Sequence, residues 1–325
     1  MTMKECPPLK ILNLPTNRCV NINGIIGKKI RNQNYNIAIV NEHNSCYIDS
    51  LLVALFHFKS RVIYNAFFAN KLVPRYASKI QKELHKIYRH INKNEAIETN
   101  NCSCIRKYLE KYYNELVKDN SGGQIFFNNS DNWITKQIDV FELLTFLDKI
   151  FDFKSNVKVK EGTNKYNKNM IVEVSSHYLI GTKGLNISSV IPMRQDRYEL
   201  DARNYYKNSK GKLVKYYEKI YEIYKTNGIL IIELYRNTGT EKLNTSIIYP
   251  DTIKVREDKK ELKLRSIILH KGSTIHSGHY TTIIRRSGKS YEYDDLSSNT
   301  NKLKEISDEH ERKMRKNAVA LIYSR

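Results

Sequence analysis

Cys46 stands where a helix should begin. Ser45-Cys46-Tyr47-Ile48-Asp49-Ser50 leads into Leu51, Leu52, Ala54, Leu55 and Phe56, and the apolar residues at 48, 51, 52, 55 and 56 follow helical spacing. Ser45 or Asn44 is placed to cap that helix, with Asp49 near its first turn. Main-chain N–H groups and the helix dipole favour an anion at such a position, which is what a nucleophilic sulfur needs. A free cysteine with no base beside it is more simply a small buried apolar residue. The base and its orienting group can be read from a hairpin. If Ser287 and Gly288 are the centre of a two-residue turn, Arg286 faces Lys289 and Thr281 faces Asp294. His279 then shares a face with Thr281 and is a diagonal neighbour of Asp294, within reach of an imidazole–carboxylate contact. A thiol, an imidazole and a carboxylate so arranged are the parts of a nucleophilic triad. The competing reading of the hairpin is a solvated His and Asp on a surface ribbon.

These residues need elements to hold them. Helical character runs through Lys79 to Tyr88 and through Ile105 to Leu116, until Ser121-Gly122-Gly123 breaks it. Val140, Leu143, Leu144, Leu147 and Phe151 have the i, i+3, i+4, i+7 spacing of an amphipathic helix. Residues 154–228 show short strand-like pieces such as Met170 to Val174 but no legible arrangement. From Ile229 the chain reads as strands: Ile229 to Leu234, Ser246 to Tyr249, Leu262 to Leu269, His279 to Ile284, Ser290 to Tyr293 and Ala318 to Tyr323. Helices first and strands later predict an α+β fold in two lobes. Met1 to Tyr35, rich in Pro, Gly and Asn, reads as an extension with a hairpin around Asn23-Gly24.

Composition narrows the classes. With 325 residues and 40% hydrophobic side chains the chain can bury a sizeable core, which excludes a wholly disordered protein. No apolar run is long enough to span a membrane, and Met1 to Val20 contains no apolar core of a secretory signal. The net charge of +21 invites a nucleic-acid reading, but the excess is spread along the chain without a dense basic block. Five cysteines without a signal sequence are expected to be reduced thiols. Cys102-Ser103-Cys104 is the only close pair, so no four-ligand zinc site is predicted, nor any cofactor.

The segment Asn41-Glu42-His43-Asn44-Ser45-Cys46-Tyr47-Ile48-Asp49-Ser50-Leu51-Leu52 resembles the Cys box of the ubiquitin-specific proteases. Gln137-Ile138-Asp139-Val140-Phe141-Glu142-Leu143-Leu144 is similar to that family's Gln-x-Asp-x-x-Glu-Phe-Leu helix, and Leu230 to Arg236 to its central strand. Lys242-Leu243-Asn244 and Tyr249-Pro250 continue the likeness. His276-Ser277-Gly278-His279-Tyr280, followed by Tyr291-Glu292-Tyr293-Asp294-Asp295, resembles its His box, and Ala318 to Arg325 its closing strand. The matches occur in the family's order over roughly residues 38–325.

The resemblance implies a papain-like cysteine peptidase with a helical thumb (38–153), a reduced fingers-like region (154–228) and a β-rich palm (229–325), behind a 1–37 extension. It implies ubiquitin or ubiquitinated proteins as partners, and hydrolysis after the terminal glycine of ubiquitin by Cys46, His279 and Asp294. Asn41 and the Cys46 N–H would hold the oxyanion, and Asp295 would support the site. Gln137, Asp139 and Glu142 would lie along the arginine-bearing tail of ubiquitin. Gly278, next to the base, would leave room for the tail backbone, with Tyr280 beside it. The chain departs from the pattern at His43 for a usual Gly, Asp49 for a usual Asn, Val53 for a usual Gln and Ser277 for a frequent Gly, and the fingers lack zinc-binding Cys pairs. Its Lys- and Asn-rich character suggests a viral or otherwise divergent member acting in the cytoplasm, of the host if viral, with the nucleus open. The rival readings are a ubiquitin-binding pseudo-enzyme, a protease for another ubiquitin-like modifier and, most distantly, a basic nucleic-acid-binding protein.

Overall fold

The computed structural model describes residues 10–13, 18–21, 37, 39, 41–72, 75–93, 101–118, 138–151, 157–163, 170–174, 177–181, 193–194, 205–207, 213–215, 219–226, 228–236, 242, 244, 246–255, 258–274, 277–299 and 301–325. The hairpin of the N-terminal extension joins β1 (Lys10–Asn13) to β2 (Arg18–Asn21). Asn23-Gly24, the predicted turn, lies outside the described residues. The expectation of reduced thiols is corrected at Cys19, which is disulfide-bonded, whereas Cys46, Cys102 and Cys104 are free.

Among the described residues five helices come next: α1 (Cys46–Phe56), α2 (Arg61–Phe68), α3 (Arg75–Lys93), α4 (Asn101–Lys118) and α5 (Val140–Phe151). The strands β3 (Val157–Thr163), β4 (Met170–Val174), β5 (His177–Gly181), β6 (Met193–Arg194), β7 (Tyr205–Lys207), β8 (Leu213–Lys215) and β9 (Lys219–Thr226) occupy the region that the sequence left unread. The order β4-β3-β9-β6 makes a four-stranded sheet, and β7 pairs with β8. The C-terminal part supplies β10 (Ile229–Tyr235), β11 (Thr252–Ile253), β12 (Leu262–Lys271), β13 (His279–Arg286), β14 (Lys289–Tyr293), β15 (Leu303–Ile306), helix α6 (Asp308–Met314) and β16 (Ala318–Ser324). They form an eight-stranded sheet in the order β15-β14-β13-β12-β16-β10-β5, with β11 on β12. Within it only β10–β5 is parallel among the described pairs. The architecture is the predicted α+β.

The continuous apolar run of β10 has a structural cause. Ile229 and Ile231 join the core that faces the helices, whereas Leu230, Ile232 and Leu234 join a second core on the opposite face with Ile247, Tyr249, Val255 and Met314. A strand covered on both faces loses the apolar–polar alternation of a half-exposed one. Ser246 to Tyr249, expected as a strand, is not one. Ile247 and Tyr249 instead plug the second core from an irregular segment, and Pro250, which follows, has no N–H to continue a ladder.

All eleven residues of α1 are buried, including Asp49 and Ser50. The helix lies on the sheet and is tied to it by two buried hydroxyls: Thr282 Oγ1 donates to the Ser50 carbonyl at 2.9 Å, and Ser266 Oγ to the Ala54 carbonyl at 2.7 Å. These bonds satisfy polar groups that burial would otherwise penalise, and they fix where the helix start lies relative to β13.

Candidate active site

The register read from the sequence is the observed one. Arg286 pairs with Lys289 and Thr282 with Tyr293, around a turn in which Ser287 and Gly288 have φ of 51° and 77°. Positive φ at both central residues is the geometry of a tight hairpin turn. His279 opens β13, and Asp294 lies just past the end of β14. His279 Nε2 is 2.8 Å from Asp294 Oδ1 and 3.5 Å from Asp295 Oδ1. Asp294 Oδ1 also accepts the Leu296 N–H at 3.0 Å, which locks the carboxylate in a short turn. The imidazole is hydrogen-bonded to Cys46 as well, and Nδ1 is the nitrogen that Asp294 leaves for the sulfur.

Charge follows geometry. Burial works against the imidazolium of His279, but hydrogen bonds to Asp294 and Cys46 and the negative charges of Asp295 and Asp294 outweigh it, raising the group to about 10. The His279 hydrogen bond, opposed by burial, draws Asp294 below its ordinary value. At neutral pH the His279 imidazole therefore carries its proton. Stability should follow. The contribution of His279 is complete below its unfolded value of about 6.5 and is lost as pH rises toward about 10, whereas that of Asp294 is lost as pH falls below the carboxylate range. The melting temperature of His279→Gln should accordingly lie further below the parent at pH 6 than at pH 10. An equal gap at both would contradict the pairing.

The approach to α1 is built differently from the sequence expectation. Ser45 precedes the helix, but its hydroxyl makes no capping bond. It accepts the Glu42 N–H at 2.8 Å and donates to Asp49 Oδ2 at 2.5 Å, closing the loop onto the helix. His43 and Asn44 have φ of 49° and 62°. Gly is the easiest residue there, and His and Asn are among the side chains that tolerate this region. The His43 side chain is exposed, so the loop is not crowded by it. The loop is instead secured from α4. The fully buried Arg106 donates to the carbonyls of His43, at 2.7 Å, and Glu42, and Ser103 Oγ donates to Glu42 Oε2 at 2.6 Å. Arg106 escaped the sequence reading because its partners are main-chain carbonyls far away in the chain, which leave no spacing signal. Asn41 Nδ2 donates to Asp295 Oδ2 at 2.7 Å, with its second N–H left for another acceptor.

The remaining candidates fall into two groups. Asp139 caps α5: its Oδ1 accepts the Phe141 N–H at 2.7 Å, and its Oδ2 accepts the Tyr280 hydroxyl at 3.0 Å. Tyr280 is thus buried with its hydroxyl on the Asp139 carboxylate. Glu142 sits in the first turn of α5, half-buried, and Gln137 lies outside the described residues. Gly278 is forced by its neighbours, since a Cβ would lie 2.6 Å from both the Lys271 carbonyl oxygen and His270 Nε2. The buried Lys242 steadies that corner by donating to the carbonyls of His270 and Gly272. Gly278→Ala should push the backbone next to His279 out of place and lower kcat/KM at least about a hundredfold. Activity within twofold of the parent would show that the corner can yield.

Among the described residues, the only trio of potential metal ligands within 4.8 Å of one another is His279, Asp294 and Asp295, the set already joined by the hydrogen bonds above. No described helix is long and apolar enough to cross a membrane.

Comparison with known proteins then gives the following. The family described as ubiquitin carboxyl-terminal hydrolase matches residues 37–323. Among solved structures, the SAGA Ubp8/Sgf11/Sus1/Sgf73 DUB module bound to monoubiquitin is similar with a TM-score of 0.60 and 15% identity, covering 88% of this chain and 68% of that one. The same module bound to ubiquitin aldehyde gives 0.59 and 15%, covering 88% and 69%. The comparison with curated proteins gives no match.

Proposed function

The chain belongs to the ubiquitin carboxyl-terminal hydrolase family, and from that premise we propose that it is a deubiquitinase working through Cys46, His279 and Asp294. The observation that carries this reading is the alignment at the start of α1: a sulfur at a helix N-terminus, hydrogen-bonded to an imidazole whose other nitrogen is held by a carboxylate. His279 holds the proton given up by Cys46, and the sulfur attacks the carbonyl carbon of the terminal glycine of ubiquitin. The Cys46 N–H and the second N–H of Asn41 receive the developing oxyanion, each donor worth about 3–4 kcal/mol of barrier. His279 passes its proton to the departing lysine amine. Water, deprotonated by the same imidazole, then splits the thioester.

The three-part division assigns the thumb to residues 38–153, a fingers-like region to 154–228 and the palm to 229–325, so that the reacting groups come from two sides of one cleft. Ubiquitin is the proposed partner because the similar structures carry ubiquitin or its aldehyde. A ubiquitin bearing a C-terminal electrophile tests the reading. One equivalent should add covalently at Cys46, located by peptide mass spectrometry. Labelling by another ubiquitin-like modifier with ubiquitin inert would move the substrate assignment to that modifier. Tight binding without an adduct would leave a pseudo-enzyme.

A further inference from the structure

Asp49, where the resembled family has a usual Asn, faces Asp295 in the interior. Asp49 is wholly buried and Asp295 is 2% exposed. Oδ2 of each carboxyl is occupied: Asp49 accepts Ser45 Oγ at 2.5 Å, and Asp295 accepts Asn41 Nδ2 at 2.7 Å. Oδ1 of each receives no conventional donor. The two carboxyls are close enough to act on each other's charge. Two buried carboxylates, both acceptors, can satisfy these unpartnered oxygens against each other only with a proton between them.

We infer that Asp49 is a positioning residue, whose retained proton bonds to Asp295 and so fixes Asn41 at the oxyanion site. The inference rests on the proposed roles of Cys46 and Asn41. The surrounding groups decide which carboxyl holds the proton. His279 lies 3.5 Å from Asp295 Oδ1, and Asn41 donates to Asp295, so negative charge is stabilised on Asp295. Asp294 adds an opposing negative charge on that side. Toward Asp49 stand the Cys102 thiol from α4, Ser45, and the phenols of Tyr47 and Tyr293. Arg106, the nearby cation on α4, donates to the carbonyls of Glu42 and His43 and bonds to the Tyr47 phenol. Burial, and then the charge of Asp295, lift Asp49 well above the ordinary carboxylate range, which agrees with this placement.

The chain Ser45–Asp49–Asp295–Asn41 thus ties both ends of the loop that precedes the nucleophile. An amide at position 49 donates at every pH. A carboxyl donates only while protonated, and its ionisation would set two negative charges side by side and release Asn41.

Two measurements test this. Infrared spectra of the parent should show a protonated-carboxyl carbonyl band that persists well above about pH 5, where ordinary carboxyls are ionised. The band should vanish in Asp49→Asn and remain in Cys46→Ala, so this result does not depend on turnover. Steady-state cleavage of a ubiquitin–fluorophore conjugate supplies the second. Asp49→Ala should lose about tenfold to a hundredfold in kcat with KM little changed, and Asp49→Asn should restore most of that loss. A band unaltered in Asp49→Asn overturns the shared proton. Equal kcat in the Ala and Asn variants overturns the positioning role. If Asp49→Ala does not fold, Asp49→Asn alone decides: its pH profile should keep full kcat at the alkaline pH where the parent loses its band, and a profile superimposable on the parent overturns the inference.

Discussion

Cys46→Ala should abolish hydrolysis of a ubiquitin–fluorophore conjugate, lowering kcat by about five to six orders of magnitude, while ubiquitin still binds. The expected size follows from the chemistry. Without the sulfur no thioester forms, and the residual rate comes only from Asn41, the main-chain donor and bound-state alignment. Removing the base as His279→Ala should approach the same floor, and the double variant should be scarcely worse than either single one, because the two act as a unit. Binding is expected to survive because Cys46 is a small side chain at the end of a helix whose remaining residues are packed between sheet and helices. Isothermal titration with ubiquitin and a turnover assay on the same preparation check both halves. Turnover near the parent level in Cys46→Ala would sink the mechanism. Cys102→Ser, by contrast, should retain much of the activity, since that thiol bonds to Asp49 and a hydroxyl can replace it as donor.

What the sequence disclosed about this site depended on whether the deciding contact was local. The Ser287-Gly288 turn fixes a register by itself, so the meeting of His279 and Asp294 could be derived from counting. The helix over Val140–Phe151 carries its apolar residues at helical spacing with Glu142 and Lys149 among them, and it was legible for that reason. In α1 every residue is buried, so the apolar pattern said where the helix runs but not that Asp49 and Ser50 would be enclosed. Asp139 immediately before an apolar helix is a capping signal that could have been recognised. Nothing in the sequence couples Arg106 to the carbonyls of Glu42 and His43, or Lys242 to those of His270 and Gly272, because a main-chain acceptor has no residue identity. The short strand Leu303–Ile306 and helix Asp308–Met314 were missed for a related reason. They are half-exposed edge elements whose few apolar residues give no period to count.

Asp139→Ala should raise KM by about thirtyfold to a few thousandfold, and its double role makes the effect separable. The proposed role is a charge pair with an arginine of the ubiquitin tail, and truncating one partner of a desolvated pair costs about 2–5 kcal/mol. The structural role is internal: the carboxylate caps α5 through Phe141 and receives the buried Tyr280 hydroxyl. Losing the cap costs about 1 kcal/mol of stability, and the stranded hydroxyl about 1–3 kcal/mol more. Asp139→Asn separates the two roles, because an amide oxygen can still accept from Phe141 N–H or Tyr280 Oη while the charge is gone. It should recover most of the melting temperature lost in Asp139→Ala yet keep most of the KM defect. Tail-arginine-to-alanine ubiquitin should bind the parent less well and lose little further against Asp139→Asn, the non-additivity that a direct pair requires. Additive losses in that cycle would reduce Asp139 to a cap for α5 and a partner for Tyr280, and the tail's cations would then have to be met by Glu142, the other carboxylate in the first turn of the same helix.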